Sequence, residues 1–358
     1  MLKGHTRGVH SAVFSPDGMY IVSASYDQTA RIWDTVTRGY EAEQKWHTDR
    51  VVSAVFSPDG MHIVSASCDQ TARIWNTATG VCEAELKGHT NYIFSAVFSP
   101  DGMYIVSTSE DHTARIWDTV TGVCEVELKG HTGWVRSAVF SPDGMLIVST
   151  SDDHTARIWN TVTGECEAEL KGHTYIVCSA DFSPDGMHIV TASFDKTARI
   201  WYTVTGECEA ELKGHTKWVN SAVFSPDGMH IVSVSSDKTV RIWNTVTGEC
   251  EAQLNRPYTS ANTQLSAIGV FIQNCYHGEI CLSHQLSFLD IYEEDTIFHT
   301  KNLQKISIPH PFRSPLCVSH HLSKICLGYG SGNILVLEVC ILNFTVLSDS
   351  LLFLNIVP

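Results

Sequence analysis

The chain of 358 residues has few basic side chains and few charges of any kind. Lysine and arginine total 24 against 39 aspartates and glutamates, giving a net charge of −15, and charged residues make up 18% of the sequence. An acidic surface repels a phosphate backbone, so nucleic acid is not expected as a partner. With 43% apolar residues, the composition is that of a globular protein, long enough for two domains or one large repeat domain.

Signals for secretion and for disulfide bonding are also missing. Residues 1–5 contain no apolar core of the kind that a secretory signal peptide has. Twelve cysteines among 358 residues are too sparse for a disulfide scaffold. We therefore expect a reduced, intracellular protein without disulfide bonds, located in the cytoplasm, with the nucleus as the alternative.

Motifs for metal and nucleotide chemistry are absent. No glycine-rich loop ends in Gly-Lys-Ser or Gly-Lys-Thr, as a phosphate-binding loop does. Cys275 and Cys281, with His277 and His284, come nearest to a zinc site, but their spacing differs from the close ligand pairs that zinc sites use. The sequence predicts no metal and no cofactor.

The first 254 residues repeat one unit six times. The tetrapeptide Ser-Pro-Asp-Gly recurs every 42 residues from Ser15 to Ser225, and a tryptophan keeps the same spacing from Trp33 to Trp243. All nine tryptophans and all seven methionines precede residue 255, so the remaining stretch is built differently. A fixed period of about 20 to 50 residues is typical of a solenoid or a propeller.

Within one period the pattern is that of four short strands. In the third copy we predict strands over residues 93–98, 104–109, 113–117 and 124–128, with a Pro-Asp-Gly turn after the first. These β-branched runs lack the 3.6-residue apolar period of a helix. Four strands joined by turns are typical of one propeller blade.

The order Gly-His, Ser-x-Asp-x-Thr and Ile-Trp-Asp or Ile-Trp-Asn, at this spacing, resembles the WD40 repeat family over residues 1–254. The resemblance implies an all-β propeller, a ring of four-stranded blades around a central channel. It also implies a buried hydrogen-bond relay in each blade, from the histidine to the turn aspartate, a strand serine and the tryptophan indole. Such a relay makes physical sense because buried polar groups need partners.

The six implied relays differ little. In the third repeat the serine is Ser107 or Ser109, since the spacing does not choose between them, and in the second repeat Trp46-His47 replaces Gly-His. The structural residues are His5, Asp27 and Trp33; His47, Asp69 and Trp75; His89, Asp111 and Trp117; His131, Asp153 and Trp159; His173, Asp195 and Trp201; His215, Asp237 and Trp243.

Residues 255–358 keep neither the Gly-His nor the tryptophan. Their length and β pattern predict two degenerate blades that close the propeller, which gives eight blades in all, with seven blades and a leftover tail as the alternative. The strands that we predict are residues 267–272, 279–284, 287–292 and 297–305 for one blade, and 316–320, 324–329, 333–339 and 341–347 for the other.

The two ends of the chain raise separate questions. WD40 rings usually close through an N-terminal strand, but three residues precede the first Gly-His, so we expect the last blade to use residues 341–347 and the chain to be part of a longer protein. Residues 334–358 are apolar and long enough to span a bilayer. Because Glu338, Asn343 and Asp349 interrupt them, we expect a final blade and a ragged tail, with no membrane association.

Aligning the six copies with one another separates constant from variable positions. The residue before the turn aspartate and the loop after Gly-His-Thr vary freely, and in the WD40 arrangement both lie on one side of the ring, here called the top face. They are rich in aromatic residues and arginine, which dominate binding hot spots. The predicted partner-binding residues are Tyr26, Arg50, Tyr92, Phe94, Glu110, Trp134, Arg136, Asp152, Ile176, Phe194 and Trp218.

Each repeat also contains a serine, a histidine and an aspartate, but six copies in register indicate a scaffold rather than a hydrolase triad. We predict a non-enzymatic scaffold that binds a peptide or a partner protein across the top face of repeats 3 to 6, with Arg136 as a fork for a carboxylate or carbonyl. A small-molecule substrate is not expected. The alternative is the sensor or substrate-recruiting part of a larger enzyme or signalling protein whose catalytic domain is not in this chain.

Overall fold

Every described element of the computed structural model is a β-strand. The structure describes residues 2–37, 40–44 and 47–255 and six short strands beyond them, with side chains over residues 4–37 and 47–254. Within this part of the chain there is no helix, and hence none that could cross a membrane.

Each of the six repeats forms one four-stranded antiparallel sheet whose strands follow one another in sequence order. The four strands predicted for the third repeat agree with the observed ones to within one residue. The strands up to residue 255 are β1 (Leu2–Lys3), β2 (Val9–Phe14), β3 (Tyr20–Ser25), β4 (Ala30–Asp34), β5 (Tyr40–Gln44), β6 (Val51–Phe56), β7 (His62–Ser67), β8 (Thr71–Asn76), β9 (Cys82–Lys87), β10 (Ile93–Phe98), β11 (Tyr104–Ser109), β12 (Ala114–Asp118), β13 (Cys124–Leu128), β14 (Val135–Phe140), β15 (Leu146–Ser151), β16 (Ala156–Asn160), β17 (Cys166–Leu170), β18 (Val177–Phe182), β19 (His188–Ser193), β20 (Thr197–Tyr202), β21 (Cys208–Lys213), β22 (Val219–Phe224), β23 (His230–Ser235), β24 (Thr239–Asn244) and β25 (Cys250–Asn255).

The turn between the first two strands of a repeat depends on its glycine. Gly102 has a φ of 74°, in the left-handed region that glycine enters without steric cost. Its N–H donates to the carbonyl of Ser99 at 2.9 Å, which closes the Ser-Pro-Asp-Gly turn. The second strand, β11, then runs through the middle of the sheet with all its residues after Tyr104 buried.

The apolar core lies between adjacent sheets. Trp117 packs against Ile74 and Leu86 of repeat 2 as well as Ile93 and Ile105 of its own repeat. Equivalent clusters join each of the five pairs of neighbouring repeats from 1–2 to 5–6. Because each repeat buries its apolar surface only against a neighbour, stability depends on stacking.

Beyond residue 255 the described strands form one sheet and one short hairpin. The strands are β26 (Thr296–Ile297), β27 (Ile306–Ser307), β28 (Pro315–His321), β29 (Lys324–Tyr329), β30 (Asn333–Leu342) and β31 (Leu351–Asn355). The sheet has the order β1-β30-β29-β28, with β31 also paired to β30, and the hairpin pairs β26 with β27.

The expectation that a separate fourth strand begins at residue 341 is wrong, and residues 343–347 of that prediction lie outside the described residues. Strand β30 continues through Leu342, and its first residues pair with the start of the chain, Leu2 with Ile334 and Lys3 with Asn333. Two residues before the first Gly-His are therefore enough to pair. Most of the other predicted blade, residues 267–305, lies outside the described residues.

Each end of the repeat array has an apolar cluster made of residues from one repeat alone. Repeat 1 has its own apolar cluster from Val9 to Trp33, and β28 packs against β2 on this side. Repeat 6 has a cluster from Val232 to Leu254 that contains residues of repeat 6 alone. In the described part of the chain, no strand packs against β22 on its far side as neighbouring repeats pack against each other.

The pairing of the chain start with β30 can be tested by cross-linking. Directly opposed residues of antiparallel strands have Cα atoms about 4.5–5.5 Å apart, which suits a disulfide. Leu2→Cys with Ile334→Cys should form an intramolecular disulfide under mild oxidation, read by mass spectrometry of the digested protein. Leu2→Cys alone, with the native cysteines present, is the control. Two free thiols in the oxidised double variant would contradict the pairing.

Candidate functional site

A chain of hydrogen bonds runs through the third repeat from an indole to a carboxylate. Trp117 Nε1–H donates to Ser107 Oγ at 2.8 Å, Ser107 Oγ lies 2.8 Å from His89 Nε2, and His89 Nδ1 lies 2.8 Å from Asp111 Oδ2. The relay serine is therefore Ser107. Ser109 accepts the backbone N–H of Asp111 at 3.0 Å instead.

The chemistry of the four groups fixes the direction of the chain. The Asp111 carboxylate only accepts, so Nδ1 of His89 carries the proton between them. In the neutral imidazole, Nε2 then accepts from the hydroxyl of Ser107, whose oxygen in turn accepts the Trp117 N–H. This assignment of the tautomer follows from the network.

The same relay is present in all six repeats. The distance from histidine Nδ1 to aspartate Oδ2 is 2.7–2.9 Å throughout. In repeat 2, His47 takes part although no glycine precedes it. In repeat 5, Thr191 takes the place of the serine, with its hydroxyl 2.8 Å from both His173 and Trp201.

The relay aspartate also joins two segments of the top face. Besides His89, the Asp111 carboxylate accepts the N–H of Thr90 in the loop after Gly-His, and the N–H and hydroxyl of Thr113 after the turn. Burial opposes ionisation, but the hydrogen bonds from His89 and Thr113 outweigh it and hold the pKa of Asp111 well below its ordinary range. The loop and the turn are thereby fixed to each other.

Serine, histidine and aspartate in this order have the contacts of a hydrolase triad, but the serine side chain is inaccessible to solvent. Ser107 is 0% exposed, and its oxygen is already hydrogen-bonded to the indole of Trp117. A nucleophile must reach its substrate. The relay therefore acts as internal support for the top face.

Removing one hydroxyl should test the relay. Ser107→Ala leaves His89 Nε2 and the Trp117 indole N–H buried without partners, and should lower the free energy of unfolding by about 1–3 kcal/mol. Ser107→Thr is the matched control, because Thr191 does the same work in repeat 5. Denaturant unfolding measures both. Equal losses for the two variants would refute the role of the hydroxyl.

The two variable places of each repeat touch one another. The amide of the residue before the turn aspartate donates to a carbonyl of the loop after Gly-His-Thr at 2.9–3.0 Å in every repeat. The amide–carbonyl pairs are Tyr26 with Gly8, Cys68 with Arg50, Glu110 with Tyr92, Asp152 with Trp134, Phe194 with Ile176 and Ser236 with Trp218.

Four rings form a row over repeats 4 to 6, here called the aromatic row. Phe194 and Trp218 stack with centroids 4.7 Å apart and planes 12° from parallel, Tyr175 lies 6.5 Å from Phe194, and His154 stacks 5.5 Å from Tyr175. Trp218 is 48% exposed and Tyr175 47%. The row therefore offers a continuous ring surface to solvent.

The sequence predicted Phe194 and Trp218 as site residues but not Tyr175 or His154. The place of Tyr175 varies as freely among the repeats as the places that were chosen, so comparing the copies at this place would have found it. Its occupants are Arg7, Asp49, Asn91, Gly133, Tyr175 and Lys217.

A second group of rings lies over repeats 3 and 4. Phe94 and Trp134 have centroids 6.0 Å apart, and Arg136 Cζ lies 5.0 and 4.9 Å from them. Arg136 Nε and Nη2 donate to the two oxygens of Asp152 at 2.6 and 2.7 Å. The sequence predicts that the guanidinium group of Arg136 binds a carboxylate or carbonyl of a ligand. In the structure this group is hydrogen-bonded to Asp152 of the same repeat, and its face lies over the two rings.

The remaining predicted residues lie around these two groups. Arg50 Cζ lies 5.5 Å from the ring of Tyr26, over repeats 1 and 2. Tyr92 is exposed, while Glu110 and Ile176 are half-buried and take part in the loop hydrogen bonds given above.

The junction between repeats 5 and 6 has polar links of its own. Cys178 Sγ–H donates to the carbonyl of Val219 at 3.2 Å, and Asp181 Oδ2 accepts the N–H of Phe224 at 3.1 Å. Asp181 stands where the other five repeats have valine, and burial raises its pKa to about 6.

The raised pKa of Asp181 predicts how the stability of the protein changes with pH. A carboxyl whose pKa is higher in the folded than in the unfolded chain (about 3.9) costs stability as the pH rises through about 6. Asp181→Val should therefore raise the melting temperature more at pH 8 than at pH 5. Asp181→Asn, which removes the charge and keeps the shape, should follow the same trend. A gain independent of pH in both variants would contradict the burial of this charge.

The match to a known family follows the same six units. The family model described as WD40, WD domain, G-beta repeat, matches residues 1–34, 41–76, 80–118, 122–160, 164–202 and 206–244. The chain belongs to the WD40 repeat family. No curated protein matches it significantly.

WD40 repeats are generally protein-interaction modules, and this WD40 chain carries its exposed rings on loops within the matched units. Within the described residues no group of three or more histidine, cysteine or acidic side chains could hold a metal ion. Cys275, His277, Cys281 and His284 lie outside those residues.

Proposed function

We propose that this WD40 chain is a non-enzymatic interaction scaffold that binds a peptide or a segment of a partner protein on its top face. The observation that carries the proposal is the pairing of constant relays with variable, exposed aromatic residues. The relay holds the loop and the turn of each repeat at the same geometry, while the side chains presented there differ. Scaffolds with variable loops commonly carry recognition sites in this way.

The exposed rings support recognition rather than chance variation. Trp134 is 38% exposed and Trp218 is 48% exposed, on loops where the first repeat has a glycine. Both rings lie beside others and form contiguous surfaces. Clustered aromatic residues supply most of the energy in typical interfaces, and large exposed apolar surfaces usually mark binding sites.

We also propose that the sheets close into an eight-bladed propeller. Two features support this: β28 packs on repeat 1, and the far apolar cluster of repeat 6 has no partner sheet among the described residues. One more blade between β25 and β28 would cover that cluster. Residues 256–314 are longer than one 42-residue repeat, so they are sufficient for it.

The binding face can be tested with peptides selected from a random phage-displayed library on the immobilised full chain. Trp134→Ala and Trp218→Ala should each weaken the selected peptide by about 2 kcal/mol, roughly thirtyfold in Kd, while the melting temperature changes little. Fluorescence anisotropy with the labelled peptide gives the Kd.

The matched control lies on the opposite rim, at the start of the second strand of each repeat. Tyr20→His, His62→Tyr and Tyr104→His exchange residues that the repeats already carry at this place. Binding should not change in the triple variant. If the rim exchange abolishes binding and the two tryptophan variants do not, the top face is not the binding face.

A further inference from the structure

Positive charge is concentrated beside one end of the aromatic row. Lys196 follows Phe194 by two residues and Lys217 directly precedes Trp218, and both lysines are exposed. In the described part of the chain neither has a carboxylate at ion-pair distance. By contrast, Lys171 and Lys213 at the ends of outer strands each contact a glutamate at 2.8 Å.

Repeats 3 and 4 have no lysine at the same places. Where repeat 5 has Phe194, they have Glu110 and Asp152, and where repeat 6 has Lys217, they have Asn91 and Gly133. The relay aspartates are the same in every repeat and do not alter this contrast. In a chain with a net charge of −15, the top face of repeats 5 and 6 is therefore locally basic.

The two rings near these lysines in the sequence stack on each other. Phe194 belongs to repeat 5 and Trp218 to repeat 6, and the two stack at 4.7 Å. The first strands of the two repeats, β18 and β22, are linked by the hydrogen bonds from Cys178 to Val219 and from Phe224 to Asp181. A surface that is already ordered loses little freedom when a ligand binds.

We propose that Phe194, Trp218, Lys196 and Lys217 form a docking surface for an acidic peptide segment. An aromatic or long aliphatic side chain of the peptide lies on the stacked rings, and flanking anionic groups meet the two ammonium groups. The charge complementarity selects acidic over neutral and basic segments. This inference rests on the proposed top-face function and names the class of partner.

Matched synthetic decapeptides test the charge preference. All carry the same central Leu-Phe pair, which is flanked by glutamate, glutamine, lysine or phosphoserine. The dissociation constant of each labelled peptide for the full chain is measured by fluorescence anisotropy at low and high salt. We expect the glutamate peptide to bind about tenfold more tightly than the glutamine peptide at low salt, and the difference to shrink at high salt.

The residues that replace the two lysines can be chosen from those that other repeats carry at the same places. Gln28 and Gln70 occupy the place of Lys196 with the same positive φ, and Asn91 occupies the place of Lys217, so Lys196→Gln with Lys217→Asn preserves the turns. This double variant should bind the glutamate peptide no better than the glutamine peptide. Lys87→Gln with Lys129→Gln removes the same charge elsewhere, from lysines paired to glutamates, and should keep the preference.

Different outcomes distinguish a failure of the acidic preference from a failure of the proposed top-face function. If all peptides bind equally and Trp218→Ala weakens all of them, the acidic preference is overturned while the top-face function stands. Tighter binding of the lysine peptide, or no binding of any peptide, also overturns the inference. Tighter binding of the phosphoserine peptide than of the glutamate peptide, lost in the Lys196 and Lys217 double variant, upholds the anionic class and assigns the anion to phosphate.

Discussion

The hydrogen-bond relay from tryptophan through serine and histidine to aspartate is the constraint on which the rest of the molecule depends. It links the second and third strands of a repeat to the loop before the first strand and to the turn that follows the second. Each member is buried or nearly so, and a buried polar group without a partner is costly. Changing one member therefore affects all four, which explains why the six copies agree so closely.

The tryptophan that begins the relay also ties one repeat to the next. Its indole N–H serves the relay of its own sheet, while its ring packs on the strands of the preceding repeat. Local polar order and packing between sheets therefore depend on the same side chain. Positions outside these two roles are free to differ, and on the top face they carry the aromatic row and the lysines of repeats 5 and 6.

Much of the fold and of the candidate site could be predicted because the sequence contains six copies of the same pattern. The relay residues follow from the resemblance to the WD40 family, and the strands of the repeats follow from the spacing. The choice between Ser107 and Ser109 does not, because residues two apart on a strand face the same side of the sheet. The Arg136–Asp152 ion pair does not follow from the spacing either, since it depends on how close the first strand of the repeat lies to a turn 16 residues later. The pairing of Leu2 with Ile334 joins residues from opposite ends of the chain and has no local signal.

Amide hydrogen exchange on the intact protein tests the central claim most directly. In each repeat the threonine after the relay histidine lies in an exposed loop, and its N–H donates to the relay aspartate at 2.9–3.1 Å. The amides to follow are those of Thr6, Thr48, Thr90, Thr132, Thr174 and Thr216. If the relay orders the top face, all six exchange slowly and at similar rates, whatever residues surround them. Fast exchange at these amides, or protection confined to the loops with aromatic neighbours, would contradict the account.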